Sequence, residues 1–286
     1  MAIYELNPDA LNVLLTGEAD VVVEFAHVLT SRNIPFSILP LMDEIDELDM
    51  EFPDMDLDGE ALALNADMFG AFSTRVIEDL RAQPGAFTHI IDLSFVNPFD
   101  RKITLEIAAS VNPRATVLAS TLTGTATELG LMSNTPTRIV GVGVVPSLMS
   151  TTTLMEYAPG LNTSAEHTAR AHTFLQTLGY TPERVEDRVA LVHMRVLATL
   201  INEAAFAVME GVATPADIDQ AMKLGTNYPK GLLEWADEIG IPIVTLVLES
   251  LYREYQQERY RPCVLLKQYM RAGWNGKAAG RGFYTY

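Results

Sequence analysis

The spacing of apolar residues divides the sequence into an alternating first part and a helical second part. From Leu11 to Leu178, short apolar runs typical of buried strands alternate with stretches that have the length and spacing of helices. After Asp187 the strand-like runs stop, and helical periodicity continues almost to the end. This order predicts an α/β fold with a doubly wound parallel sheet in residues 1–186, followed by an all-α C-terminal domain in residues 187–286.

The positions of individual elements follow from the same periodicity and from residues that start or stop helices. Strands are predicted at 11–16, 34–39, 88–93, 115–120, 139–145 and 154–157. Helices of the alternating part are predicted at 21–31, 66–82, 101–111 and 164–178. Helices of the second part are predicted at 189–210, from 214 onward, and at 233–238, 243–258 and 263–272. Thr214 and Asp217 have the spacing of a capping box.

Composition limits the environment and the partners of the chain. The 286 residues, 48% of them hydrophobic, are enough for two cores, and the single cysteine excludes an internal disulfide. No apolar run reaches the ~20 residues of a membrane helix, and no secretory signal opens the chain, so we expect a cytoplasmic protein. With 37 acidic against 20 basic residues, the surface repels nucleic acid. Small molecules and a second copy of the chain are therefore the expected partners.

The segment 43–60 is an acidic arm that holds ten carboxylates and no basic residue. It contains Asp54, Asp56 and Asp58 at the spacing that opens an EF-hand calcium loop. The twelfth position of that loop is Asn65, where a bidentate Glu is required, and the flanking helices are missing from the pattern. We interpret the arm as a solvated acidic loop and predict no metal site.

Two segments of the C-terminal part carry a specific resemblance. The run 202–240, NEAAFAVMEGVATPADIDQAMKLGTNYPKGLLEWADEIG, and the closing GWNGKAAGRGFYTY of 273–286 resemble the C-terminal domain of 3-hydroxyacyl-CoA dehydrogenases. The resemblance implies a Rossmann-like NAD-binding-type domain before it, a homodimer formed by the C-terminal domain, and an acyl-CoA-like substrate. We interpret the glycines and aromatic residues of the tail as packing residues that end the fold.

The resemblance implies a cofactor loop at the end of the first strand, with Gly17 as its first glycine and Asp92 as the acid that follows a later strand. The dinucleotide pattern G-x-G-x-x-G has its second and third glycines replaced by Ala19 and Val22. Glu18 adds negative charge where a diphosphate would lie, which opposes the attraction of the helix N-terminus. NAD is therefore the implied cofactor, but these residues predict weak binding in the usual mode. A strand-end Asp such as Asp92 is also commonly just solvated.

The catalytic residues that the resemblance implies are only partly present. Glu156 matches the glutamate that holds the catalytic histidine of the family, but the histidine position falls on Gly143 or Val144. Thr123 replaces the serine that binds the substrate carbonyl, and its hydroxyl can still donate a hydrogen bond. Met194 occupies the position of the family's asparagine.

His193, next to Met194, is the candidate for a relocated base, although a structural role at the start of a helix is the commoner use of such a residue. The other histidines, His27, His89, His167 and His172, lack partners at catalytic or metal spacing. Two hypotheses remain open: a catalytically weak or silent relative that binds a small-molecule ligand, and an active NAD-dependent enzyme with a relocated base.

Overall fold

The computed structural model describes residues 11–41, 67–77, 80–82 and 84–286. The acidic arm and its EF-hand-like pattern lie outside the described residues. In the described part of 66–82, two 3-10 helices, Gly70–Arg75 and Leu80–Ala82, replace the predicted α-helix. Gly70 has a φ of +52°, and Val76 forms a parallel bridge with Ile38, so the backbone leaves helical geometry at both places.

Contacts between Cα atoms divide the chain into two compact units, Met1–Arg188 and Val189–Tyr286. The first unit contains a sheet, and the second unit is built from helices and a C-terminal tail. The observed architecture is the predicted one, an α/β Rossmann-like sheet followed by an all-α C-terminal part.

Among the described residues, seven strands form one sheet in the order β2-β1-β3-β4-β5-β6-β7. The strands are β1 (Val13–Gly17), β2 (Phe36–Ile38), β3 (His89–Leu93), β4 (Thr116–Ser120), β5 (Ile139–Val142), β6 (Leu154–Pro159) and β7 (Thr181–Arg184). The pairs from β2 to β5 are parallel, β5 and β6 are antiparallel, and β6 and β7 are parallel. The chain leaves β1 toward β2 and then returns to β3 on the other side of β1. The carboxyl ends of β1 and β3 therefore form a topological switch point, where doubly wound sheets bind ligands.

Helices cover both faces of this sheet. They are α1 (Ala19–Ser31), α2 (Pro98–Val111), α3 (Ala126–Met132) and α4 (Ala165–Thr177). All residues of β1, β3 and β4 are buried, as expected for central strands of a parallel sheet with two covered faces. On one face, Leu14, Ile90 and Leu105 belong to the main apolar cluster, which joins β1 and β3 to α2. This packing fixes the loops that follow the strands at one edge of the sheet.

The second unit contains α5 (His193–Met209), α6 (Pro215–Thr226), α7 (Leu232–Ile239), α8 (Ile241–Tyr255) and α9 (Val264–Arg271). The capping box of α6 is confirmed, because the Thr214 Oγ1 accepts from the Asp217 amide at 3.3 Å and the Asp217 carboxylate binds Thr214 in return. The prediction that α5 begins at Val189 was wrong. Ala190 and Leu191 have φ values of +60° and +44°, so the helix begins only at His193. None of the described helices is long and apolar enough to cross a bilayer.

The C-terminal tail is fastened to the second unit by one buried carboxylate. Asp237 of α7 accepts hydrogen bonds from the amides of Phe283 and Tyr284, both at 2.9 Å. A Cβ at Gly282 would lie 2.0 Å from the Asp237 Oδ1, so this close approach requires glycine. The tail motif that carries the family resemblance thus packs the end of the chain against α7, as the packing interpretation predicts.

Candidate functional site

The first part of the candidate site is the turn between β1 and α1. Gly17 ends β1 with a φ of +132°, and a Cβ there would lie 2.6 Å from the backbone carbon of Leu93. Gly17 pairs with Leu93 across the β1–β3 ladder. Only glycine therefore allows the two central strands to end side by side at the switch point.

Glu18, the residue before α1, reaches from this turn to the loop after β3. Its carboxylate accepts from the Phe95 amide at 3.1 Å and from the Val96 amide at 2.9 Å. It makes no side-chain bond to the first turn of α1. Burial raises the pKa of the Glu18 carboxyl, and the two amides act in the opposite direction. The Glu18 carboxylate thus links the turn after β1 to the loop after β3. The sequence did not predict this contact.

Asp92 forms a buried ion pair with Arg101, the fourth residue of α2. The Asp92 Oδ2 lies 2.7 Å from the Arg101 Nε and 2.6 Å from its Nη2, and both side chains are almost fully buried. The same guanidinium donates to the Ser120 carbonyl, and the other Asp92 oxygen accepts from the Ser94 amide. The expectation of a solvated strand-end Asp92 was wrong. The pair ties β3, α2 and β4 together, so Asp92 stabilises the floor of the site.

Three buried hydroxyl groups lie at the carboxyl ends of neighbouring strands without a hydrogen-bond partner among the described residues. They belong to Thr16 in β1, Ser94 directly after β3, and Ser120 at the end of β4. Buried polar groups are nearly always hydrogen-bonded, and groups left over commonly bind water or a ligand. Their position at the switch-point edge gives the site polar groups that can bind a polar ligand.

Thr123 lies in the loop between β4 and α3, at the same edge of the sheet. Its Oγ1 donates to the Phe95 carbonyl at 3.1 Å, and the Phe95 amide in turn donates to Glu18. Thr123 is half-buried. The structure therefore brings the predicted residues Gly17, Asp92 and Thr123 to the carboxyl ends of β1, β3 and β4.

Glu156 lies in β6, opposite the position that the family's histidine would take. The Gly143 amide donates to the Glu156 carbonyl at 2.9 Å, and the preceding residue Val142 pairs with Tyr157. Of the two positions considered for the histidine, the antiparallel ladder places Gly143 next to Glu156. The Glu156 residue is 7% exposed. The backbone thus retains the neighbour relationship of a histidine–glutamate pair, whereas position 143 offers no side chain.

Glu24 of α1 holds the loop that follows β5. The Glu24 carboxylate accepts from the amides of Ser147 and Met149 at 2.7 and 2.8 Å. The Tyr180 hydroxyl donates to the Met149 carbonyl at 2.9 Å, and burial raises the pKa of Tyr180 to about 12. Glu24 therefore positions the loop between Gly143 and Glu156. In the sequence it is an unremarkable polar residue of an amphipathic helix, so no pattern pointed to it.

His193 is the first residue of α5 in the second unit and is exposed. Its proposed role as a base stays a prediction. Of the other histidines, His89 is buried against Phe174 with ring centroids 4.4 Å apart, and burial lowers its pKa to about 3. The pKa of His167 is lowered by the same cause, and its Nδ1 lies 2.9 Å from the Thr116 Oγ1. Both are neutral core histidines near neutral pH.

The second unit also has a cavity of about 600 Å³ beside α6, α7 and the tail. Its charged groups are paired: Lys223 forms an ion pair with Glu234, and Asp219 accepts from the Tyr284 hydroxyl and from two amides of α7. The ion pair and the hydrogen bonds of Asp219 thus join α6, α7 and the tail around this cavity.

Comparisons with known proteins agree with the fold and with the tail motif. Residues 192–286 match the model of the 3-hydroxyacyl-CoA dehydrogenase C-terminal domain. The chain is 40% identical over 178 residues to a probable 3-hydroxybutyryl-CoA dehydrogenase of Bacillus subtilis. The matched residues cover 61% of this chain and 61% of that protein. It is 30% identical over 196 residues to a 3-hydroxybutyryl-CoA dehydrogenase of Mycobacterium tuberculosis, covering 65% of this chain and 67% of that protein.

The crystal structure of (S)-3-hydroxybutyryl-CoA dehydrogenase from Ralstonia eutropha has the same fold, with a TM-score of 0.74 at 24% identity over 96% of this chain and 98% of that one. The shared fold is a Rossmann-like sheet followed by a helical C-terminal part. Together with the identities above, it establishes that the chain belongs to the 3-hydroxyacyl-CoA dehydrogenase family.

The residues at the switch point fit the dinucleotide that this family implies only in part, because Ala19 and Val22 replace the second and third glycines of the pattern. Gly17 permits the tight turn, and the buried hydroxyls of Thr16, Ser94 and Ser120 have no hydrogen-bond partner among the described residues. Glu18 is a further departure from the pattern, because its carboxylate binds the Phe95 and Val96 amides at the rim. The turn of a dinucleotide loop is therefore kept at Gly17, whereas the residues that follow it differ.

Proposed function

We propose that this chain is an NAD-dependent 3-hydroxyacyl-CoA dehydrogenase of acyl-CoA metabolism that works without the family's histidine. The similarity to proteins named 3-hydroxybutyryl-CoA dehydrogenases carries the proposal, and the unpaired hydroxyl groups at the carboxyl ends of β1, β3 and β4 support it. We further propose that residues 1–186 form the NAD-binding-type domain and that residues 187–286 form a homodimer. The proposed location is the cytoplasm.

Each proposed site residue has a task that its surroundings allow. NAD, when bound at the switch point, supplies the hydride acceptor for oxidation of the 3-hydroxyl group. Gly17 admits the cofactor, and the Asp92–Arg101 pair holds the ends of β3 and β4 in place. Thr123 exchanges its bond to the Phe95 carbonyl for one to the substrate oxygen, which it orients. Glu156 is the buried carboxylate beside position 143 and holds the proton that the reaction moves.

A second candidate function is a catalytically weak or silent relative that binds an acyl-CoA-like ligand. Gly143 favours this second function, because glycine has no side chain that could serve as a general base at that position. A positioned general base typically contributes 10²–10⁴-fold to the rate. Glu18 also favours it, because a carboxylate opposes an anionic cofactor at the rim.

Acetoacetyl-CoA-dependent oxidation of NADH by the full chain decides between these functions. We expect turnover by the wild type, a loss of about 10²-fold or more in Glu156→Gln, and a smaller loss in Thr123→Val. His193→Gln tests the relocated base: a loss as large as that of Glu156→Gln assigns the base to His193. An NADH-binding wild type without turnover of any 3-oxoacyl-CoA would establish the silent relative. Light scattering tests the assembly, and a mass of 31.5 kDa would contradict the homodimer.

A further inference from the structure

Glu18 lies at the N-terminus of α1, and its carboxylate reaches across to two backbone amides in the loop after β3. The carboxyl ends of β1 and β3 form the switch point, and the phosphates of a dinucleotide lie at the helix N-terminus beside the first of these strands. Glu18 stands at that helix N-terminus, but its carboxylate turns away from α1 and binds the loop after β3. The contact joins the carboxyl ends of β1 and β3 and is partly buried.

The surrounding charges do not compensate Glu18. Arg101, the cation on the floor of the site, is paired with Asp92 and bonded to the Ser120 carbonyl. Asp20, two residues after Glu18, is exposed in the first turn of α1 and adds a second negative charge. The Glu18 carboxylate is therefore held by the Phe95 and Val96 amides and by no cation among the described residues, so an incoming phosphate meets a negative charge at this end of α1.

We propose that Glu18 is a latch that closes the switch-point crevice and sets the affinity for the cofactor. The carboxylate competes with the dinucleotide for the same crevice, so the binding-competent state is the one in which it has left the two amides. The apparent affinity for the dinucleotide is the intrinsic affinity multiplied by the fraction of molecules in that open state. This inference rests on the proposed NAD-dependent function and adds a specificity-determining residue to it: the latch acts against anionic dinucleotides and not against uncharged nucleosides.

Titration of the full chain with NADH, followed by its fluorescence, tests the latch. We expect Glu18→Ala to lower the dissociation constant for NADH tenfold or more, and Glu18→Gln, which keeps the shape and loses the charge, to lower it by less. Adenosine binding should not change. Glu106→Ala removes an exposed glutamate of α2 and is the matched control, which should bind NADH like the wild type.

Hydrogen exchange of the peptide that contains Phe95 and Val96 gives a readout that is independent of turnover. We expect faster exchange in Glu18→Ala, and renewed protection of these amides when NADH is added. Equal and tight NADH binding by the wild type and Glu18→Ala would overturn the latch and leave the NAD-dependent function standing. If none of the proteins binds NADH although Glu18→Ala exposes the amides, both the cofactor proposal and the latch are wrong, and the contact serves only the fold.

Discussion

Asp92 and Arg101 form an ion pair nine residues apart whose side chains are almost completely excluded from solvent. Arg101 reaches back from α2 to the end of β3 and also donates to the Ser120 carbonyl at the end of β4. Asp92 lies on the same face of the sheet as Leu14 and Ile90, and α2 packs against that face. The ion pair therefore lies inside the fold rather than at its rim. The family resemblance places Asp92 in the cofactor site, but its observed role in this chain is to stabilise the fold through the ion pair.

The first prediction concerns this pair. Asp92→Asn leaves a buried guanidinium without its counter-ion, so we expect the free energy of unfolding to fall by about 3–5 kcal/mol. Arg101→Met should cost a similar amount, and the double variant less than the sum of the two. Lys102→Met, at the exposed neighbouring position, should lie within about 0.5 kcal/mol of the wild type. Urea unfolding followed by circular dichroism measures all four proteins, and additive losses would show that the two groups do not interact.

The second prediction follows from the lowered pKa of His89, which burial moves from 6.5 to about 3. His89 is protonated below pH 6.5 in the unfolded state but only below about pH 3 in the folded state. The contribution of neutral His89 to stability is therefore fully present above pH 6.5 and falls as the pH is lowered through this window. From pH 7.5 to 5.5 the loss due to His89 is about 1.4 kcal/mol.

Replacement of His89 by Leu checks this, because the variant cannot titrate. We expect the loss of stability between pH 7.5 and 5.5 to be smaller in His89→Leu than in the wild type. The residual pH dependence includes His167, whose pKa is lowered in the same direction. Identical slopes for the two proteins would mean that His89 is accessible to protons in the folded state.

The third prediction concerns the tail of the second unit. Gly282→Ala would place a Cβ 2.0 Å from the Asp237 Oδ1, which two amides of the tail hold in place. We expect a loss of about 1–3 kcal/mol in stability. Gly225→Ala is the matched control within α6, since a Cβ there meets no atom within 4 Å, and it should stabilise the helix by about 0.5–1 kcal/mol. The two tryptophans, Trp235 and Trp274, both report on this unit by fluorescence.

Hydrophobic periodicity was sufficient to predict the central strands, because strands covered on both faces, such as β1 and β4, are mostly apolar. It predicted an α-helix at 66–82 where two 3-10 helices lie. It failed where an element lies at an edge or is short. β7, with the sequence TPER, pairs only through its backbone and is largely exposed, so it has no apolar pattern. α3 was missed although Thr125 and Glu128 carry a capping signal, because its seven residues are too few to show a period.

The candidate site was predictable as a set of positions and not as a set of contacts. Gly17 could be assigned from its place after an apolar run, since the turn needs a residue without a Cβ. Asp92 could be located but not interpreted, because its partner Arg101 comes from a helix whose rotation the sequence leaves open. Glu18 could be recognised as a repulsive charge. Its bond to the Phe95 amide depends on how two loops meet in space, which no local pattern encodes.

The last prediction concerns Glu24 and the loop between β5 and β6. Ser147 has a φ of +68°, a left-handed conformation that is unfavourable for residues other than glycine, and its amide donates to Glu24 in that conformation. Glu24→Ala removes the acceptor for the amides of both Ser147 and Met149, so we expect a loss of about 1–3 kcal/mol in stability and faster hydrogen exchange in the peptide 146–150.

Ser147→Gly relieves the backbone strain and should stabilise the wild type by up to about 1 kcal/mol. Without Glu24 the strained conformation is no longer held, so the same Ser147→Gly change should gain less in the Glu24→Ala background. Glu166→Ala, which removes a half-exposed glutamate that pairs with Arg170, is the control and should leave exchange of this loop unchanged. A full and additive gain from Ser147→Gly in both backgrounds would show that Glu24 does not hold the loop in this conformation, and that the residues between Gly143 and Glu156 are positioned by the Tyr180 hydroxyl and the strand ends instead.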